Sequence, residues 1–321
     1  EVLSTMGWEK INIPKYVGEV KKNMNIDISD EIIGKDLVLT LVLAEFEKEK
    51  QVFDKLIFKG GTLLSRNFLK YHRFSEDLDF VHKECNEFRT LSRNQREKRI
   101  KTYIDQFVPK LKKVADTLGL DFALDRSNTR YCSIISGRAV YIFRLYYEKD
   151  QYIKVEINFV EKMLYNPKEV SVKAITDFFD SKELLFILGL EFRSFNVLSY
   201  QLEEIILEKY RALLTRQSFM ERDLFDLFLI PNSLDVDVDA VVKKIQASSL
   251  IKKNLGSIIR ANVEKLQQNE FFRSEEIIAD FAIIKYDLDA FLRYKESIRL
   301  KLISISLLFL EASSFSHPKS I

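Results

Sequence analysis

The stretch Lys59–Phe80, KGGTLLSRNFLKYHRFSEDLDF, constrains this chain more than any other. It places a Gly-Gly-Thr turn, a short apolar helical segment, a basic-aromatic link and a D-x-D pair within one supersecondary unit. Glu76–His82 alternates charged and apolar residues and reads as a strand. On a strand Asp77 and Asp79 point to one face, roughly 6.5–7 Å apart. Two carboxylates so spaced can share one or two hard cations, with substrate phosphates completing the coordination. Paired metals can clamp both the attacking and the leaving oxygen of a phosphoryl transfer.

Gly60 and Gly61 carry no side chains, so backbone N–H groups can approach a phosphate closely. Thr62 is placed to cap a helix over Leu63–Tyr71, whose N-terminus favours anions. Taken singly, the turn and the acid pair each have an ordinary structural explanation. Their order, an anion-accepting turn followed by one helix and a carboxylate strand, points to nucleotide and metal. Arg73 and Ser75 stand just before the acids; Arg73 either grips a phosphate or pairs with Glu76 or Asp77.

Three further strands are expected at Thr129–Ile135, Ala139–Glu148 and Tyr152–Val160, joined by links short enough for antiparallel hairpins. In KVEIN, Glu156 shares a face with Lys154 and Asn158, while Val155, Ile157 and Phe159 face the core. Two metals carry four positive charges, so a third acid is expected nearby. Glu156 is either that third ligand, the base that deprotonates an attacking hydroxyl, or one charge on a solvated strand face.

Upstream, a lead containing Trp8 and Ile11 precedes a helix over Glu31–Gln51. A long helix over Leu91–Leu118 closes at Gly119; its basic start, Arg93 to Lys101, reads as a solvated face. Downstream the pattern is helical at Ser199–Arg216, Glu221–Ile230, almost throughout Asp235–Leu292, and at Leu300–Glu311. Lys209 is either buried on its helix or reaches a triphosphate. Asp223 and Asp226, three apart, share a helix face beside Arg222 and either take part in catalysis or tie two helices together. The expected architecture is therefore α+β. A mixed-sheet domain spans residues 1–165, and a mainly helical domain, 166–321, completes the cleft.

The net charge of +2 announces no polyanion partner by itself. Two cysteines give no disulfide framework, three histidines argue against a His-rich metal site, and the apolar runs are too short for a bilayer. A cytoplasmic protein without membrane partners is expected.

KGGTLLSR, RFSEDLDF, KVEINF and LEKYRALLTRQSFMERDLFDLF, in that order, resemble the AbiEii/AbiGii-type toxins over about residues 30–230. These are nucleotidyltransferases of the DNA polymerase β-like superfamily. The resemblance implies that Lys59, Gly60, Gly61 and Thr62, with Arg73, Ser75 and Lys209, contact the nucleotide. It implies metal at Asp77 and Asp79, with Glu156 as the nearest third carboxylate, and makes Asp223 the acid of the final motif. It further implies Mg2+ or Mn2+ as cofactor and an NTP as donor. The acceptor is RNA, such as tRNA, or protein, and a cognate antitoxin is an expected partner. The competing readings are a non-catalytic module of the same fold that binds RNA or protein, and a metal-dependent phosphohydrolase.

Overall fold

The computed structural model describes residues 12–178, 195–250, 252, 254–273 and 277–314; Trp8 and Ile11 lie outside them. The chain divides into two compact units. The first comprises the chain up to Glu161 together with Asn166–Tyr200 and Phe281–Ile283. The second comprises Lys162–Tyr165, Gln201–Asp280 and the chain from Ile284 onward.

The first unit is built on a mixed seven-stranded sheet in the order β3-β4-β5-β2-β1-β7-β6. Its strands are β1 (Leu56–Lys59), β2 (Asp77–His82), β3 (Cys132–Ile135), β4 (Val140–Tyr146), β5 (Tyr152–Asn158), β6 (Lys168–Ser171) and β7 (Asn196–Ser199). β2 lies at the centre, antiparallel to β1 and parallel to β5. Its alternation is visible in burial: Leu78 is fully buried between half-exposed Asp77 and Asp79. On β5, Ile153, Val155 and Ile157 are likewise fully buried. Each such side chain contributes roughly 1.5–3 kcal/mol of burial.

Two helices cover this sheet, and the sequence explains both. Asp30–Lys48 begins at Ser29, whose hydroxyl accepts the Ile32 N–H. Arg93–Leu118 begins with a capping box between Ser92 and Gln95 and ends at Gly119 in the left-handed region. Along it Ile100, Tyr103, Ile104, Phe107, Leu111, Val114 and Leu118 are buried at helical spacing. The Arg93–Lys101 cluster is indeed a solvated face, with Arg93 paired to Glu97 and Arg99 to Glu84.

Within this core His82 packs against Phe88, Tyr103 and Phe159. Its Nδ1 accepts the Glu84 N–H at 3.2 Å, which assigns the proton of the neutral ring to Nε2. A buried pair, Arg66 and Asp36, joins the helix Asp30–Lys48 to the segment after the glycine turn. Arg66 Nη2 lies 2.8 Å from Asp36 Oδ1 and 2.9 Å from Thr40 Oγ1, and the Tyr71 hydroxyl donates to Asp36 Oδ2.

The second unit is helical: Leu202–Thr215, Glu221–Leu229, Val238–Ala247, Leu255–Gln267 and Leu288–Ser314. The near-continuous helix expected over 235–292 is broken. Asp237 caps one new start, Asn254 in the left-handed region precedes another, and Phe281–Ile283 leaves to pair with the first unit. Ile283 N–H donates to His72 C=O and Phe74 N–H to Phe281 C=O. Asx residues begin new helices here, where apolar periodicity alone ran on. At the centre of this unit Lys244, fully buried, is held by Glu204 at 2.5 Å and Glu208 at 2.6 Å. Among the described residues, no helix is long and apolar enough to cross a membrane.

Two expectations follow. Asp36→Ala strands the Arg66 charge in the core and is expected to cost about 3–5 kcal/mol in urea unfolding. His82 is pushed down to about 4, first by burial and then by Lys55, Arg99 and Lys83. A depressed value stabilises the fold above the unfolded histidine's pKa of about 6.5 and is lost as pH falls through about 4, a change of about 3 kcal/mol. His82→Phe is expected to remove that component when unfolding is compared at neutral and mildly acidic pH.

Candidate active site

The turn and the acid strand meet because β1 and β2 pair antiparallel with Lys59 opposite Asp79. The residue after Lys59 therefore arrives against the Asp79 carboxylate. Gly60 has φ +80°, and a Cβ built there would lie 2.4 Å from Asp79 Oδ2. Only glycine satisfies both conditions. Gly61 is similarly confined: a Cβ there would lie 2.6 Å from Arg73 Nη2 and 2.9 Å from Ser75 Oγ.

Thr62 does not cap a helix over Leu63–Tyr71. It lies inside a single helical turn, Gly60–Leu63, and its buried hydroxyl donates to Asp77 C=O at 2.5 Å. A π-helical turn, Leu64–Phe68, follows, and its Ser65 hydroxyl donates to Arg73 C=O at 2.5 Å. The helix stops early because Lys70 and Tyr71 adopt positive φ, carrying the chain back toward β2. One hydroxyl thus fastens the glycine turn to the strand that carries the acids, and a second fastens the π turn to the link before that strand.

The carboxylates come from adjacent strands. β2 and β5 pair in parallel register with Asp77 opposite Lys154 and Asp79 opposite Glu156. Lys154 Nζ lies 2.9 Å from Asp77 Oδ2 and 3.6 Å from Glu156 Oε2. Burial, and then the charge of Asp79, raise the pKa of both Asp77 and Glu156 above the usual carboxylate range. For Lys154, burial acts to lower the pKa. The charges of Asp79, Asp77 and Glu156 outweigh it and hold the ammonium protonated.

Two carboxylates of hard oxygen character on one strand face, beside a side-chain-free turn, fit Mg2+ or Mn2+, which take one or two carboxylates and fill the remainder from phosphate and water. Among the described residues, no three His, Cys, Asp or Glu side chains are grouped closely enough to hold a metal on their own. Glu156 stands opposite Asp79 on the neighbouring strand, with its carboxylate 3.6 Å from Lys154 Nζ.

The remaining candidates fall into three places. Arg73 is buried, donates to Phe74 C=O at 2.7 Å, and packs behind Gly61. Glu76 pairs with Lys35 at 2.6 Å and Asp77 with Lys154 at 2.9 Å. Lys59 Nζ lies 2.5 Å from Glu161 Oε2, and the Tyr200 hydroxyl donates to the other Glu161 oxygen. Lys209 belongs to the second unit, where Asp223 and Asp226 each hold its ammonium at 2.6 Å.

Burial acts to raise the Asp223 pKa, but Lys209 and Arg216 bring it below the usual value. Arg216 also lines a cavity of about 620 Å3 in this unit with Arg222 and Lys252. Sequence reasoning gave no role to Lys154 or Glu161. The position of Lys154, two residues before Glu156 on one strand face, carried the needed signal. Glu161 could be found only through the fold, which brings it 102 residues back to Lys59.

Comparison with known proteins bears on both units. The solved structure of MenT4, a nucleotidyltransferase toxin from Mycobacterium tuberculosis H37Rv, aligns over 92% of each chain with 13% identity and a TM-score of 0.49, a likeness too distant to carry chemistry. Among curated proteins nothing matches. The family model described as "Nucleotidyl transferase AbiEii toxin, Type IV TA system" matches residues 42–294, which take in the glycine turn, the acid strand and the Lys209–Asp223 helices. The chain belongs to the AbiEii family of nucleotidyl transferase toxins.

Proposed function

We propose that this nucleotidyltransferase transfers a nucleoside monophosphate from an NTP to a hydroxyl of an RNA, such as tRNA, or of a protein, as a toxin acting in the cytoplasm and restrained by a cognate antitoxin. The observation that carries this reading is the seating of Gly60 against Asp79, with a 2.4 Å approach that leaves no room for a side chain. A turn that must stay bare directly beside a carboxylate pair suits a triphosphate held next to its cation.

In this reading Asp77 and Asp79 hold Mg2+ or Mn2+. Bound there, the cation would neutralise phosphate charge and polarise the α-phosphoryl group. Gly60, Gly61 and Thr62 offer backbone N–H groups to the phosphates. Arg73 and Ser75 brace that turn from behind, and Lys59, anchored on Glu161, fixes the strand end that leads into it. Glu156, with its proton affinity raised, is suited to accept the proton of the attacking hydroxyl. Lys209 and Asp223 form a buried ion pair of the second unit, and the basic cavity beside Arg216 suits a phosphate-rich acceptor. Positioning and charge neutralisation supply most of the rate.

Incubation with each α-labelled NTP, Mg2+ and total cellular RNA or protein is expected to label one fraction. Asp77→Asn with Asp79→Asn is expected to reduce labelling by about 100-fold or more while leaving the circular dichroism spectrum unchanged. Unreduced labelling by that variant sinks the assignment.

Metal binding also has a defined pH sense. A carboxyl whose folded pKa is raised stabilises the fold below the unfolded value, and that contribution is lost as pH rises through the folded value. The cation needs the ionised form, so it restores most at neutral pH. Mg2+ at about ten times its dissociation constant is expected to add about 1.4 kcal/mol near pH 7.5. That gain should shrink toward about pH 5. Thermal unfolding with and without Mg2+ across this range measures it.

A further inference from the structure

The site carries a cation of its own. Lys154 comes from β5, opposite Asp77 in the parallel register, on the strand face it shares with Glu156. Its ammonium is hydrogen-bonding distance from Asp77 Oδ2, at 2.9 Å, and 3.6 Å from Glu156 Oε2. The side chain is 27% exposed, so the pair is not fully screened by water. Lys35 pairs with Glu76 and Lys59 with Glu161, and their charges also reach Asp77 and Glu156 respectively, while the Lys154 ammonium lies within hydrogen-bonding distance of Asp77 itself.

Building on the reading of Asp77 and Asp79 as metal ligands, we propose that Lys154 is a resident counter-cation of the carboxylate site and that a divalent metal enters by displacing its ammonium from Asp77. Three carboxylates on two neighbouring strands repel one another, and one ammonium offsets only part of that charge. A divalent ion offsets more, yet it cannot share the same Asp77 oxygen with an ammonium without strong repulsion. Lys154 therefore does two things. It holds Asp77 and Glu156 in place when no metal is bound, and it sets a threshold that metal must overcome. Lys154 is in this sense a positioning residue, acting through Asp77.

Removing the charge while keeping the length separates this role from a merely structural one. Calorimetric titration of Mn2+ into the full chain, without nucleotide, is expected to show binding about tenfold tighter in Lys154→Met than in the unsubstituted protein. Lys154→Arg, which keeps the charge, is expected not to tighten. In the absence of metal Lys154→Met should melt at lower temperature, and saturating Mn2+ should narrow the gap. Equal or weaker Mn2+ binding in Lys154→Met overturns the proposal while leaving the metal site standing. Absence of Mn2+ binding in all three proteins overturns both. Should Lys154→Met fail to fold, a crystal of the unsubstituted chain soaked in Mn2+ decides. The Lys154 ammonium is expected beyond hydrogen-bonding distance of Asp77, and Mn2+ on Asp77 with the 2.9 Å pair intact overturns the proposal.

Discussion

The pairing of β1 with β2 governs the first unit. Because Lys59 stands opposite Asp79, the chain leaving β1 has nowhere to go except across the face of the acid pair. Backbone geometry, not side-chain contact, sets how near the turn comes, and glycine is the residue that permits it. The hydroxyls of Thr62 and Ser65 then bind the turn to the main chain of Asp77 and Arg73, so the phosphate side and the metal side of the proposed site form one rigid piece. Rigidity of this kind is what a transfer reaction with little covalent chemistry of its own requires.

Charge in this protein is handled by local compensation, not by the near-zero net balance. Asp36 neutralises Arg66 beneath the turn; Glu161 holds Lys59; Lys154 stands among the acids; Asp223 and Asp226 share Lys209; Glu204 and Glu208 hold Lys244. A buried charge without its partner costs several kcal/mol, so each of these groups fixes a particular arrangement of strands or helices. The same ion pairs make a sequence-level distinction between a catalytic and a structural lysine hard to draw. Lys209 shows this: it is buried on its helix, as one expectation had it, and it is also charged and tied to the final-motif acid.

What could be read from the sequence was what has a period. The alternation of EDLDFVH and YIKVEIN gave β2 and β5 nearly to their ends, and the apolar spacing and Ser92 gave the long helix. The order of the motifs gave the turn and the acids. What could not be read was what depends on partners distant in the chain. Thr62 looked like a cap because a hydroxyl before an apolar run usually is one; its true acceptor, Asp77 C=O, is fifteen residues away. Arg73 could be read either as gripping a phosphate or as pairing with Glu76 or Asp77, and its bridge to Ala282 and its place over the Phe281 ring depend on a segment far along the chain. The two outer strands β6 and β7 are short and half polar, and they gave no alternation strong enough to notice.

The π turn at Leu64–Phe68 has a bearing on ancestry. A π turn accommodates one residue more than an α turn of the same rise, so it acts as an expansion joint between the glycine turn and the acid strand. Length changes in this loop can be absorbed there, with the Thr62 fastening ahead of the turn left in place. The spacing from Gly60 to Asp77 is thus fixed in space and slack in the chain. A relative with a longer or shorter loop could then keep the fastening of the turn to the strand, and a search for a constant number of intervening residues would miss it.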